Sequence, residues 1–373
     1  MSARPPLLSV VVPVFRVADF VVQCLDSIVG DGQHAADVQV IAVDDRSPDQ
    51  CGALLDAYAR RHGRPEVLHL PYNVGLGRAR NAGLDRATGR YVWFVDGDDW
   101  LPPGAVSAVL ARLRELRPDV LLVDHQVVGP DGTASPPANR AWLHGVAGVA
   151  RLADRPGLLR AQHAAWNKVV GRELLDRVGL RFQPGWYEDV PFSHPVLLAA
   201  RRIGVLERVC YCYRHGRPGA ITSSPSARHF DVFTQYERMF AVIATLPDAA
   251  PFRPELFRLM VDHHLVIAGN DARLPAASRR EFFRRAAEHF ARYLPTEGYA
   301  EPAGVAGVKH RLLRRDRYLA YAALREAYRM AGLLRGERGT SPPLPPTAPA
   351  SPDVQTPTED ETPTEDETPA RRS

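Results

Sequence analysis

The sequence predicts an α/β protein: a Rossmann-like, mainly parallel sheet flanked by helices, then a helical C-terminal region and a disordered tail. Three observations carry this. Strand-like and helix-like segments alternate over the first 125 or so residues, the pattern of a parallel sheet with crossover helices. Every unusual polar cluster in that stretch follows directly on a strand, where open α/β sheets bind ligands. From about residue 228 to 335 the periodicity is helical and arginine-rich, and from Ser341 the chain turns to proline, threonine and acid. The reading divides the chain into residues 1–225, 226–336 and 337–373.

The continuous apolar run Leu7–Val14 reads as a buried strand. Asp19 is placed to cap a helix whose apolar positions Val21, Val22, Leu25, Ile28 and Val29 share one face. A second strand, Val38–Val43, ends at Asp44-Asp45. A short helix over 52–61 leads to a third strand, Val67–Leu70. The glycine-containing loop Asn73–Gly77 opens a helix running through Ala87. A fourth strand, Tyr91–Val95, stops abruptly at Asp96-Gly-Asp-Asp99. Pro102 and Pro103 suit the opening of the next helix, to about Leu116, and Val120–Val128 is a fifth strand. Residues 129–150 read as loop or hairpin, and 151–222 as mixed helices and short strands. In Arg311–Leu334 the stripe Leu313, Ala320, Leu324, Ala327, Ala331 and Leu334 suggests one helix, either packed on the preceding domain with a solvated basic face or in contact with a membrane surface or an anionic partner. The tail repeats Thr-Pro-Thr-Glu-Asp-Glu at 356–361 and 362–367 and has too little apolar surface to offset the entropy of ordering.

The chain is 45% hydrophobic and 24% charged, ordinary for a globular protein. No uncharged stretch approaches the roughly 20 residues that span a bilayer, and no signal-peptide pattern opens the chain, so a cytoplasmic location is expected. The four cysteines (24, 51, 210, 212) lack the paired spacing of a zinc site and read as buried free thiols. Residues 341–373 carry seven acidic and two basic side chains, leaving a net +9 on the remainder of a chain whose total is +4. A basic body suits anionic partners, a nucleotide diphosphate, a phosphorylated acceptor or peripheral contact with the inner face of the membrane. It does not by itself indicate nucleic acid.

Four constellations carry chemistry. In Tyr91–Trp100 an apolar strand delivers Asp96 and Asp98 to one edge with a glycine between them, and alternate residues of an extended segment point the same way. Such a pair can hold Mn2+ or Mg2+ by oxygen and leave sites for diphosphate oxygens and water; the metal would neutralise charge on the leaving diphosphate. Ser9–Phe15 with Val43–Ser47 reads as a base-binding wall: Pro13 ends the strand, Phe15 offers a flat face, and Asp45 is a carboxylate able to accept an N–H. The run Asn73–Gly83 lacks the glycine spacing of a phosphate loop, but Arg80 is placed to reach a phosphate or the metal carboxylates. In Trp186–Phe192 the acid pair Glu188-Asp189 sits between aromatic residues; Asp189 is the candidate base for an acceptor hydroxyl, with Glu188 shaping the site.

As a set, Val-Val-Val-Pro-Val-Phe, Val-Asp-Asp-Arg-Ser, Asn-x-Gly with Ala-Arg-Asn-x-Gly, Asp-Gly-Asp-Asp-Trp and Glu-Asp-Val-Pro-Phe resemble the family 2 glycosyltransferases of GT-A fold, over roughly residues 7–220. The resemblance implies an inverting transfer from a nucleotide diphosphate sugar, a UDP-sugar, to a glycan or polyol-phosphate hydroxyl. It implies that Pro13, Phe15, Asp45, Asn73 and Arg80 contact the nucleotide, that Asp96 and Asp98 are the Asp-x-Asp pair with Asp98 the direct metal ligand, and that Asp189 is the base. Trp166-Asn-Lys168 and Tyr211-Cys-Tyr-Arg-His215, which contains Arg214, are further elements of it, candidates for lining the donor sugar or closing over the diphosphate. The Gln-x-x-Arg-Trp signature of processive membrane synthases is absent after Arg214. Two rival readings remain. A sugar nucleotidyltransferase would need a glycine-rich triphosphate loop after the first strand, which Pro13–Val17 does not supply. A non-catalytic nucleotide-sugar-binding or scaffold protein would be expected to carry a damaged metal or base motif.

Overall fold

The structure, a computed structural model, describes residues 4–30, 34–217 and 224–334. The acidic tail therefore lies outside the described residues. Strands and helices alternate at first as β1 (Leu8–Val14), α1 (Val21–Val29), β2 (Val38–Asp44), α2 (Cys51–His62), β3 (Glu66–His69), α3 (Leu76–Arg86), β4 (Tyr91–Phe94), α4 (Ala105–Leu116) and β5 (Val120–Val128). The next part is irregular: α5 (Arg140–Leu143), β6 (Val149–Ala150), β7 (Lys168–Gly171), α6 (Arg172–Val178), α7 (Val190–Ala199) and the long β8 (Ile203–Arg214). Five helices follow, α8 (Asp231–Ile243), α9 (Arg253–Gly269), α10 (Arg279–Tyr293), α11 (Gly304–Arg314) and α12 (Tyr318–Leu334).

All eight strands form one sheet in the order β3-β2-β1-β4-β7-β5-β8-β6. β3, β2, β1 and β4 are parallel neighbours, as are β5 and β8, while β7 is antiparallel to β4 and β5, and β6 to β8. The sheet is thus mixed, but β1, β2, β3, β4, β5 and β8 all end at the same edge. In register, Val14 lies opposite Asp44 and Asp44 opposite His69, so the polar residues following these strands meet in one crevice.

Each face of the sheet carries its own core, because successive strand residues point to opposite sides. Val10, Val12, Trp93, Leu121 and Val123 pack with α1, α2 and α4. Val11, Ile41, Val43, Val92, Phe94 and Leu122 pack with α3, α6 and α7, and that core continues through Phe233, Phe257 and Phe282 of the C-terminal helices to Tyr321. Gly83 of α3 permits the close approach to β1: a Cβ there would lie 2.3 Å from Val11 Cγ1. The four cysteines are buried free thiols.

Three local expectations fail. Asp19 does not cap α1; the preceding residue is Phe20 with no side-chain cap, and the entry turn is instead closed by the Val17 carbonyl, which accepts from Phe20 N and Val21 N at 2.9 and 3.0 Å. The helix after Pro102-Pro103 begins only at Ala105, because Gly104 has φ 75°. The helix expected over 311–334 is broken: Asp316 takes φ 47° between α11 and α12. The buried face then runs through Leu313 and Tyr321, leaving Ala320 and Ala327 exposed. Among the described residues no helix is long and apolar enough to cross a membrane.

Candidate active site

At the end of β2, Asp45 is almost fully buried and holds the loop that opens α3. Its Oδ1 accepts from Val74 N at 2.6 Å; its Oδ2 accepts from Gly75 N at 2.9 Å and Asn73 Nδ2 at 3.0 Å. Burial raises the Asp45 pKa and these backbone donors work against the rise. Asn73 also donates to the Asp45 carbonyl at 3.0 Å, so the loop is tied down twice. One strand over, Pro13 does not end β1 as expected but lies inside it, paired with Val43 one residue before the strand's end at Val14, and Phe15 stands 38% exposed at the crevice, with the Arg16 guanidinium 5.3 Å from its ring centre.

Arg80 is the node of the site. Its side chain is 1% exposed and reaches three carboxylates: Nη2 to Asp96 Oδ1 at 2.7 Å, and Nη1 to Glu188 Oε1 at 2.8 Å and Asp189 Oδ1 at 2.6 Å. Burial alone would disfavour its charge, but Asp189, Asp96 and Glu188 outweigh that and raise its pKa. Of the sequence alternatives for Arg80, a phosphate or the carboxylates, the structure shows the carboxylates. Asp96 and Asp189 are each 20% exposed while Glu188 is 5% exposed, so the two aspartates face the crevice and Glu188 sits behind. Burial, and then the Asp189 charge, push the Glu188 carboxyl well above the usual carboxylate range.

Asp96, Asp98 and Asp99 form the opposite wall. Gly97 eases the close approach there, where a Cβ would lie 3.0 Å from the Pro13 carbonyl. Asp98 pairs with Arg217 Nε at 2.7 Å; burial and the Asp96 charge raise its pKa against that partner. Asp99 is fully sequestered: its Oδ2 accepts from Tyr211 Oη at 2.6 Å and its Oδ1 from Arg214 N at 2.7 Å. The Tyr211 hydroxyl also receives Asp96 N at 3.2 Å. Arg214 donates from Nε to the Asp98 carbonyl at 2.9 Å and from Nη2 to Gln23 at 2.7 Å, sandwiched by Phe20 and Trp100 at 4.5 and 4.6 Å. β8 can do this because two register slips near Asp124 bend it, so that Cys212 bridges Trp100.

Of Trp166-Asn-Lys168, Trp166 stacks on Tyr211 with centroids 4.4 Å apart. Lys168 is fully buried and donates to the Gln162 and Ala164 carbonyls and to Asn167 Oδ1 at 2.8, 3.0 and 2.7 Å. These residues support the site from behind. Asn73, Asp45, Arg80, Asp96, Asp98, Glu188, Asp189 and Arg214 thus converge on one strand-end crevice. Sequence reasoning missed Tyr211 as the bridge between Asp96 and Asp99, and Arg217 as the partner of Asp98; the only signal for Arg217 was its place three residues after Arg214.

The Asp96/Asp98 oxygens suit a hard divalent cation; the raised pKa of Asp98 comes first from its burial and only then from the Asp96 charge. Among the described residues no set of three His, Cys, Asp or Glu side chains is arranged to hold a metal alone. A cation would therefore need oxygens from a bound phosphate as well, and would have to take Asp98 from Arg217.

Residues 9–172 match the model of "Glycosyl transferase family 2". This part of the chain is a family 2 glycosyltransferase domain. The match stops before Glu188-Asp189, which the structure nonetheless joins to Arg80 of the glycosyltransferase domain. The chain is 32% identical over 231 residues to the uncharacterized glycosyltransferase EpsJ of Bacillus subtilis, covering 59% of this chain and 64% of EpsJ. It is 32% identical over 116 residues to the poly(ribitol-phosphate) beta-glucosyltransferase of Bacillus spizizenii, covering 31% of this chain and 18% of that one. The chain thus spans less than two thirds of either relative. Residues 1–349 of S. aureus TarS, solved in complex with UDP-GlcNAc, superpose with a TM-score of 0.69 at 21% identity, covering 87% of this chain and 92% of TarS. The glycosyltransferase domain and the helices after it share that GT-A fold.

Proposed function

We propose that the protein is a metal-dependent, inverting glycosyltransferase that moves a sugar from a nucleotide diphosphate, a UDP-sugar, to a hydroxyl of a cell-surface glycan or polyol-phosphate acceptor. The observation that carries this is Arg80, one guanidinium joining the Asp96 side of the crevice to Asp189. The UDP-GlcNAc bound by TarS and the polyol-phosphate named for the relative support the donor and acceptor classes.

In this reading the base stacks on Phe15 near Asp45 and Asn73, and Pro13 fixes the strand end beneath it. Asp98 and Asp96 would hold a divalent Mn2+ or Mg2+, which would supply positive charge against the diphosphate. Arg80 occupies Asp189 Oδ1, while Oδ2 accepts no hydrogen bond among the described residues. Oδ2 is then the atom that takes the acceptor hydroxyl proton. The acceptor oxygen forms its bond to the anomeric carbon as the bond to the diphosphate breaks, and the electron pair leaves on the nucleotide. Glu188, buried and raised in pKa, shapes the floor behind Arg80; Arg214 keeps the Asp98-Asp99-Trp100 turn in place. The basic C-terminal helices, with Leu319, Tyr328 and Met330 exposed on α12, suit peripheral contact with the inner face of the membrane from the cytoplasm.

Asp189→Asn tests the assignment. UDP release from a UDP-sugar with acceptor should fall by roughly 10²–10⁴ with UDP affinity unchanged. An equal rate in the variant would leave a nucleotide-sugar-binding protein or another chemistry as the better account.

A further inference from the structure

We infer that the acceptor carries an anionic group and that Arg228 and Arg273 bind it beside Asp189; this rests on Asp189 being the base. Trp186 and Tyr187 directly precede the acid pair. Tyr187 has φ 63°, a conformation that is uncommon for bulky residues and that concentrates at ligand sites when the surroundings hold it. It is held by its hydroxyl on His229 Nδ1 at 2.5 Å and by Asp231 Oδ2, which accepts from Trp186 N at 3.0 Å. The Trp186 ring is half-buried and its face carries the Arg228 guanidinium, 4.9 Å from the ring centre. An indole with a cation on its face, next to a base, matches a sugar or polyol bearing a negative charge.

Arg273 comes from the turn between α9 and α10, where its carbonyl accepts from Ser226 N at 3.0 Å. Its charge acts on Tyr187, His163, His229 and His263, which places it against the same wall. Its buried Nε has no hydrogen-bond partner among the described residues. Nearby Arg279, Arg292 and Arg325 are paired with Asp271, Glu237 and Asp271, but Arg228 and Arg273 have no carboxylate partner among the described residues. Asp231, whose charge reaches Tyr187 and His229, is engaged through Oδ2 by Trp186 N. The buried histidines are pushed down by desolvation, His163 and His229 to about 4, so they are neutral at pH 7 and the positive charge there belongs to the two arginines. Arginine suits phosphate and carboxylate through paired donors.

The test is titration of the full chain, saturated with UDP, with glycerol 3-phosphate, glucuronate and glycerol. At least tenfold tighter binding of one anion than of glycerol is expected; whichever anion gains tells phosphate from carboxylate. Arg228→Gln with Arg273→Gln should cost that ligand at least tenfold, and the exposed Arg228→Gln alone at least threefold, with UDP affinity within twofold. Glycerol binding as well as both anions, or anion affinity unchanged in the folded variants, would overturn the inference. Failure of UDP to bind would instead strike at the donor reading, and the anion series without UDP would still decide the arginine pair.

Discussion

Arg80 is a buried cation against three carboxylates, and its removal leaves those charges uncompensated in a region with little water. Arg80→Met should therefore lower the unfolding free energy by about 3–5 kcal/mol, read by urea denaturation; a loss under about 1 kcal/mol would contradict the ion cluster described. A second residue reports on the end of β2. His69 Nδ1 lies 3.0 Å from Asp44 Oδ2 and Nε2 lies 3.1 Å from Asp56 Oδ1, and the Asp44 bond, then the Asp56 bond, raise its pKa. A histidine raised on folding binds its proton more tightly in the native state, so its contribution is full below its unfolded value and lost as pH rises through the folded one. His69→Gln should then be less stable than the parent at pH 5.5, with the gap narrowing by pH 9; a gap constant with pH would contradict the pairing. These partners were only partly legible in the sequence. Asp45, Asp96, Asp98 and Asp189 stand out because each follows a strand or an aromatic pair. Tyr211 was marked only as part of the Tyr211–His215 run and not as a bridge, because nothing local to it says that its hydroxyl will meet residues more than a hundred positions away.

Elements explain why the crevice holds together. β1 to β5 could be read from apolar runs and turn residues, since β1, β2, β4 and β5 are buried on both faces and end at a polar break, while β3, at the sheet edge, still carries a short Val-Leu run. β7 could not: Lys-Val-Val-Gly is four residues long, and its antiparallel insertion between β4 and β5 is set by tertiary pairing. The bend of β8 was equally hidden, because its register slips depend on β5. Two substitutions test the element contacts. Gly83→Ala forces a methyl against Val11 and should destabilise by about 1–3 kcal/mol, seen as a lower melting temperature. Tyr211→Phe strips the hydroxyl between Asp96 and Asp99 and should cost about 1–3 kcal/mol and weaken UDP binding. Wild-type stability and affinity in that variant would mean β8 does not brace the Asp96–Trp100 turn.

Of the two cores of the molecule, one runs from the sheet face of Val11 and Phe94 to Phe282 and Tyr321, so the C-terminal helices share the folding unit of the glycosyltransferase domain. Thermal unfolding of the full chain is expected to give one transition by both far- and near-ultraviolet circular dichroism, and two separated transitions would contradict the shared core. That continuity is also what sets Arg273, far along the chain, beside Tyr187. The most direct measurement of the central claim is calorimetric titration of UDP with and without Mn2+, on the parent and on Asp98→Ala. UDP should bind at least tenfold tighter with Mn2+, and Asp98→Ala should abolish that gain. UDP affinity indifferent to Mn2+, or a gain that survives the loss of Asp98, would contradict the reading of the crevice as a metal-assisted diphosphate site.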